Sequence, residues 1–299
     1  MTAIINIVVV LDPTVIRDPV LDRAIMLAKT TQANIRVLVN CHSILGGKSY
    51  FVGESPTSIA TTQSVLQEQI LSSITEEFAA NGVSVSFDLI ESKYVVESIL
   101  EFVTEVNADL VLKSTHSHSD LRKSIFTNTD WQLIRQCPSP LWFSKTGRWF
   151  PQGKIVAAVD PMHSHAEHVQ FESTLIDYAE YVGLIAKQAV CVFHAYYVGA
   201  ESRYSKVTTF AGNGGLQTQH NQAIYRLLAA HNVNPENVQI VAGDVSEKLL
   251  SYLHSIRSNL LVIGALSRSR LERAILGSTA EKVLDETPCD VLVVGHGAT

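Results

Sequence analysis

The chain has 299 residues, about twice the length of one ordinary domain, with 46% hydrophobic and 17% charged residues. This composition predicts well-buried cores and excludes a disordered chain, which needs low hydrophobicity and high net charge. A formal net charge of −6 excludes a basic surface for nucleic acid, and no apolar run approaches the ~18 residues of a membrane span. Four scattered cysteines and an N-terminus without secretory features predict a cytoplasmic protein with reduced thiols.

Apolar runs alternate with amphipathic patterns along the first half of the chain. The predicted strands are residues 4–11, 35–41, 83–90, 109–113 and 140–144, and the predicted helices between them are residues 18–31, 58–81, 94–107 and 128–136. In the second predicted helix, apolar side chains recur every four residues and form one stripe. Strands that alternate with helices predict a doubly wound parallel sheet, whose ligand crevice lies at the carboxyl ends of the strands.

The second half of the chain repeats the first. The run INIVVVLDP near the start returns as KIVAAVDP, which ends at Asp160 and Pro161. Later positions match at a spacing of 150 residues, namely Leu121 and Leu271, Ile125 and Ile275, Pro138 and Pro288. Two copies of one α/β unit are therefore predicted, as domains over residues 1–147 and 151–299.

The most specific motif lies in the second copy, after the apolar strand LLVIG. Gly264 is followed by Ser267 after two residues, and nine further residues lead to Gly277, Ser278 and Thr279 at the start of a predicted helix. A glycine lets the backbone approach an anion closely, and a helix N-terminus offers unpaired N–H groups to a phosphate. This arrangement predicts a phosphate-binding segment.

The motif, together with the duplication over nearly the whole chain, resembles the universal stress protein family. The resemblance implies two tandem flavodoxin-like domains of the adenine nucleotide alpha hydrolase type, each with a five-stranded parallel sheet. It also implies that ATP is the ligand, with Mg²⁺ present only alongside the nucleotide. The implied contacts are Asp160, Gly264, Ser267, Gly277, Ser278 and Thr279.

Two features of the second copy depart from this pattern. Ser267 stands where the family has its second glycine, and a side chain there crowds a ligand or requires a backbone angle that serine disfavours. Ser278 and Glu281 also match a capping box, which explains the serine as a helix start without any ligand. Nucleotide binding and a purely structural role for Ser278 both stay open.

The first copy has lost the motif. The positions equivalent to the motif residues hold Ser114, Ser117, Thr127 and Asn128, so none of the three glycines is present. Thr127 and Asp130 still form a helix-capping pattern, so the fold is expected to survive without the binding loop. A scaffold role is predicted for the first domain. In this family the final strands of two domains pair, which implies an intramolecular pseudo-dimer, and a homodimer of the chain stays open.

Other functions are weighed against nucleotide binding. One is an interaction protein without a nucleotide, and another is a receptor for a nucleotide-sugar or an acyl-bearing molecule. No G-x-S-x-G elbow is present, so no catalytic residue is assigned and at most a weak ATPase is expected. His163, His165 and His168 are closely spaced, but a metal site usually needs three or four converging ligands and loop histidines are more often solvated, so no metal site is assigned.

Overall fold

The computed structural model describes two compact units, the first built from residues 2–116 and 127–147 and the second mainly from residues 148–299. The described residues are 4–11, 18–40, 56–115, 126–145, 148–162, 166–197, 213–265 and 278–295, without the side chains of 56–67, 166–168, 213–214 and 278–279. Within these ranges, no helix combines the length and the hydropathy needed to cross a bilayer.

The first unit alternates strands and helices from its start. In chain order its elements are β1 (Asn6–Leu11), α1 (Pro19–Thr31), β2 (Asn34–Asn40), α2 (Pro56–Ala80), β3 (Val85–Ile90), α3 (Val95–Glu105), β4 (Leu110–Ser114), α4 (Asn128–Gln136) and β5 (Leu141–Ser144). The five strands form a parallel sheet in the order β3-β2-β1-β4-β5. The apolar runs of β1 and β4 are buried at its centre, as expected for strands covered on both faces.

The second unit repeats this arrangement. Its elements are β6 (Lys154–Ala158), α5 (Ala166–Ala186), β7 (Val190–Tyr196), α6 (Asn213–Leu228), β8 (Val238–Ala242), α7 (Val245–Ser255), β9 (Ser258–Gly264), α8 (Ser278–Glu286) and β10 (Asp290–Val294). These strands are also parallel, in the order β8-β7-β6-β9-β10. One part of the core lies between the sheet and α7 and α8, where Phe193, Leu253 and Val283 are buried together.

The predicted fold class is confirmed, because each unit is an α/β structure with a five-stranded parallel sheet. The central strand of each unit, β1 or β6, has the fourth strand of the same unit beside it. The order of the strands therefore reverses at this pair, and the carboxyl ends of β6 and β9 border the crevice in which such folds bind ligands.

Candidate functional site

The carboxyl ends of β6 and β9 bring Asp160 and Gly264 to the same edge of the second sheet. Ala157 of β6 lies opposite Val262 of β9, and three further residues along each chain lead to Asp160 and Ala265. The Asp160 side chain is exposed, and its Oδ1 accepts a hydrogen bond of 3.4 Å from the backbone N–H of Met162. Asp160 therefore lies exposed at the predicted edge of the sheet.

Gly264 ends β9 and lies directly beneath an aromatic ring. A Cβ atom added at Gly264 would lie 2.5 Å from Cε1 and 2.9 Å from Cζ of Phe171, a buried residue near the start of α5. Only a glycine fits this contact without displacing the ring. The packing of α5 on the sheet thus explains the glycine that the sequence motif assigned to a ligand.

A buried carboxyl group, Glu172, lies beside this contact. Its Oε2 accepts a hydrogen bond of 2.9 Å from the backbone N–H of Asp160. Burial raises the pKa of Glu172 to about 7, and the charge of Asp160 acts in the same direction, while the hydrogen bond from the Asp160 backbone lowers the pKa. The edge of the sheet therefore holds a carboxyl group that titrates near neutral pH.

The remaining motif residues stand at the start of α8. This helix begins at Ser278, so the helix start that the motif predicted is present, and Ser278 and Thr279 occupy its first turn. The side chains of these two residues lie outside the described part of the chain, as do Ser267 and Gly277. The structure thus brings Asp160 and Gly264 together and gives no contact for the other four predicted residues.

At the end of β4 in the first unit, two polar side chains meet. Ser114 is buried at the position equivalent to Gly264, and its hydroxyl donates a hydrogen bond to Oδ1 of Asp18. The same Oδ1 accepts a hydrogen bond of 3.0 Å from the backbone N–H of Val20, so Asp18 caps the N-terminus of α1. Ser114, which stands in place of the family glycine, thus supports the start of α1 through Asp18.

A buried ion pair holds the start of α4 in the first unit. Nζ of Lys113 lies 2.8 Å from Oδ1 of Asp130, whose side chain is fully buried. Oδ2 of Asp130 accepts hydrogen bonds of 2.8 Å from the backbone N–H and the hydroxyl of Thr127, which completes the predicted capping box. The first unit thus places its own anion at this helix N-terminus. In the second unit the equivalent positions hold Ile263 and Ala280.

A cavity of about 460 Å³ opens in the second unit between α5, α6 and the turn after Asp160. It is lined by Pro161, Met162, Val169, Gln219, Gln222, Ala223, Arg226 and Leu227. We define these residues as the α5–α6 groove. Its walls are mainly apolar, with two amides and one guanidinium group, and it includes none of the six residues predicted from the motif.

Two buried histidines lie between β7 and α6. Nδ1 of His194 is 2.9 Å from the carbonyl oxygen of Val159, which can only accept, so this nitrogen carries a proton. Nε2 of His194 lies 2.7 Å from Nδ1 of His220, and the ring of Tyr196 stacks on His220 with centroids 4.1 Å apart. These contacts fix the backbone that leads into Asp160.

Sequence reasoning missed several of these residues. Phe171 and Glu172 are consecutive in α5, and a charged residue inside an apolar helical stripe is the signal that marks Glu172. Lys113 similarly interrupts the apolar run of β4. His163 and His165 lie outside the described residues, as does the side chain of His168, so the histidine group stays untested.

Comparisons with known proteins agree with this architecture. The model of the universal stress protein family matches residues 4–145 and again residues 153–295. The chain is 26% identical to universal stress protein E of Photorhabdus laumondii over 97% of this chain and 94% of that protein. It is also 26% identical to universal stress protein E of Escherichia coli K12, over 97% of this chain and 93% of that protein.

Solved structures show the same fold over the full length. A protein of unknown function from Pseudomonas aeruginosa PAO1 has a TM-score of 0.76 and 25% identity, covering 98% of this chain and 93% of its own. A universal stress protein from Archaeoglobus fulgidus has a TM-score of 0.66 and 15% identity, covering 97% of this chain and 98% of its own. The chain therefore belongs to the universal stress protein family, as a tandem two-domain member similar to universal stress protein E.

Proposed function

We propose that the second unit binds an adenine nucleotide, with ATP as the expected ligand, and that the first unit acts as a scaffold. The site lies at the carboxyl ends of β6 and β9, and the protein acts in the cytoplasm. The supporting observation is the difference between the two helix starts. Asp130 supplies a buried, paired carboxylate at the capping position of α4, whereas α8 has Ala280 at the equivalent position and its first-turn carboxylate one residue later, at Glu281.

The chemistry of a helix N-terminus supports this assignment. Phosphate oxygens are stabilised by the first N–H groups of a helix and by its dipole. At α4, Asp130 and Thr127 already satisfy the capping positions, so a phosphate would have to displace a buried ion pair. At α8, Ala280 leaves the capping position without a carboxylate, and the acidic residue of this first turn is the next one, Glu281. Asp160 stands at the neighbouring strand end, where its carboxylate can accept hydrogen bonds from ribose hydroxyls.

Calorimetric titration of ATP into nucleotide-free protein, with and without Mg²⁺, tests the proposal. We expect one equivalent of ATP to bind, and a Gly277→Val variant to lose this binding because a side chain blocks the approach to the start of α8. Asn128→Ala, an exposed position at the equivalent start of α4, is the matched control and should leave binding unchanged. The absence of heat and of thermal stabilisation at millimolar ATP would contradict the proposal.

A second candidate function is supported by the α5–α6 groove. An apolar wall with two amides and Arg226 suits an acyl chain that carries an anionic head group. Fluorescent fatty acids provide the test, because their emission rises when the chain leaves water. We expect Ala223→Trp to fill the groove and abolish this signal. An unchanged signal in that variant, or no signal from the unaltered protein, would contradict an acyl-binding role.

A further inference from the structure

A group of polar side chains joins α5 to the segment that follows α6, away from the motif of the second unit. Ser173, Asp177 and Glu180 occupy positions i, i+4 and i+7 of α5 and therefore share one helical face. His231 lies three residues beyond the end of α6 and projects onto this face, with only 2% of its side chain exposed. A histidine and two carboxylates thus converge from two elements.

The distances from His231 to the two carboxylates match those between the ligands of a metal ion. Nδ1 of His231 lies 3.1 Å from Oε2 of Glu180 and 3.5 Å from Oδ1 of Asp177. One ligand atom from each residue lies within 4.8 Å of the other two. Because metal–nitrogen and metal–oxygen bonds are about 2.0–2.2 Å long, neighbouring ligands of one ion stand roughly 3.0–3.5 Å apart. An ion can therefore bridge these atoms without a change in the backbone.

Further hydrogen bonds hold two of the three ligands in place. Oγ of Ser173 lies 2.8 Å from Nε2 of His231, the ring nitrogen that faces away from the carboxylates. The backbone N–H of Asn232 donates a hydrogen bond of 2.6 Å to Oε1 of Glu180, which leaves Oε2 directed toward His231. Partners of this kind fix ring orientation and ligand geometry in metal sites.

We propose that Asp177, Glu180 and His231 form a binding site for a divalent transition-metal ion of the Zn²⁺ class. An imidazole nitrogen with two carboxylates suits Zn²⁺ or Co²⁺, whereas Mg²⁺ and Ca²⁺ prefer oxygen ligands alone. The side chains of Asp177 and Glu180 are 37% and 27% exposed, so the ion can enter from solvent and water can complete its coordination.

Binding of the ion would move the proton of a neutral His231 ring from Nδ1 to Nε2. Without the ion, Nδ1 faces the carboxylate of Glu180, which can only accept, so a neutral ring carries its proton there and Nε2 accepts the hydroxyl proton of Ser173. An ion bound at Nδ1 requires that nitrogen to be unprotonated, so the neutral ring carries its proton on Nε2 and donates it to Ser173. A hydroxyl group can donate or accept, so Ser173 supports both forms.

Titration of Zn²⁺ into reduced, metal-free and nucleotide-free protein tests the site. We expect one tight equivalent by calorimetry, a rise in melting temperature, and in the long-range ¹H–¹⁵N spectrum the change of tautomer at His231. Asp177→Asn and Glu180→Gln, which keep the shape of partly exposed side chains, should each weaken binding at least ~10-fold. Ser173→Ala should weaken it about 10-fold through loss of ring orientation.

The histidines near the start of α5 provide the matched control. A triple variant, His163→Asn with His165→Asn and His168→Asn, should keep the tight equivalent. Loss of binding in this variant would place the ion on those histidines, and a Co²⁺ spectrum with a thiolate charge-transfer band would place it on cysteine. Either result would overturn the proposal. So would the absence of a tight equivalent in the unaltered chain, or unchanged binding in both carboxylate variants.

Discussion

The two units have the same strand order, yet different side chains lie at the carboxyl end of the fourth strand in each, β4 or β9. In the first unit, Ser114 is hydrogen-bonded to Asp18 and Lys113 is paired with Asp130, so polar side chains of the unit itself fill the positions of the family motif. In the second unit, Gly264 lies under the ring of Phe171. The same fold thus presents different side chains at equivalent positions, because a site depends on a few side chains and the fold on many.

The comparison also shows how side chains of the protein can take the place of a phosphate at a helix N-terminus. A phosphate at a helix N-terminus and a carboxylate three residues into the same helix satisfy similar donors. Because Asp130 supplies that carboxylate and Lys113 is paired with it, the capping position at this helix start is filled by side chains of the first unit itself. We therefore expect the polar edge of the first unit to be the more sensitive of the two to substitution.

The largest effect is expected from Asp130→Ala in the first unit. The change removes the capping box of α4 and leaves Lys113 half-buried without its partner, which together should lower the free energy of unfolding by about 3 kcal/mol. Chemical denaturation followed by tryptophan fluorescence measures this loss, since Trp131 and Trp142 lie in the first unit. Glu101→Ala, an exposed site on α3, is the control and should change stability by under ~0.5 kcal/mol. Equal effects from both variants would show that the ion pair contributes nothing.

A smaller effect is expected when the second unit receives the serine of the first. In Gly264→Ser the new side chain meets the ring of Phe171, and such overpacking should cost about 2 kcal/mol of unfolding free energy. The double variant with Phe171→Leu relieves the contact, so the two changes should cost less together than their separate effects predict. Strictly additive effects would show that the glycine is present for a reason other than the ring.

The fold was predictable because its signals are local. Buried parallel strands are apolar runs and their helices carry apolar stripes, so helix α4 was predicted over residues 128–136 and is observed at Asn128–Gln136. The predicted strand at residues 4–11 begins slightly later, at Asn6, because the ladder with β2 starts there.

The site was less predictable because its contacts join distant parts of the chain. Gly264 was recognised from its motif, but its packing under Phe171 depends on how α5 lies across the sheet, which no local pattern encodes. His231 meets Glu180 from 51 residues away, and a lone histidine after a helix has no periodic signal. The sequence motif therefore pointed to Asp160 and Gly264 at this edge. Glu172, and the group formed by Asp177, Glu180 and His231, were recognised only from the structure.

The smallest of the three effects concerns the buried carboxyl group of the second unit. Burial raises the pKa of Glu172 from its ordinary 4.5 to about 7, so the folded protein keeps this proton to higher pH than the unfolded chain does. The unfolding free energy should therefore fall as pH rises from about 4.5 to 7 and stay low above that. Glu172→Gln cannot lose a proton and should reduce the difference in melting temperature between about pH 5 and pH 8 by roughly 2–4 °C, equivalent to about 1 kcal/mol.

The size of this effect is set by the surroundings of Glu172. Its neighbour Asp160 is exposed, so water can reach the edge once the carboxyl group is charged and limits the cost of deprotonation. Glu101→Gln is the control, because its exposed carboxyl group should leave the pH profile unchanged. Parallel profiles for the unaltered chain and Glu172→Gln would mean that Glu172 is already charged at pH 5.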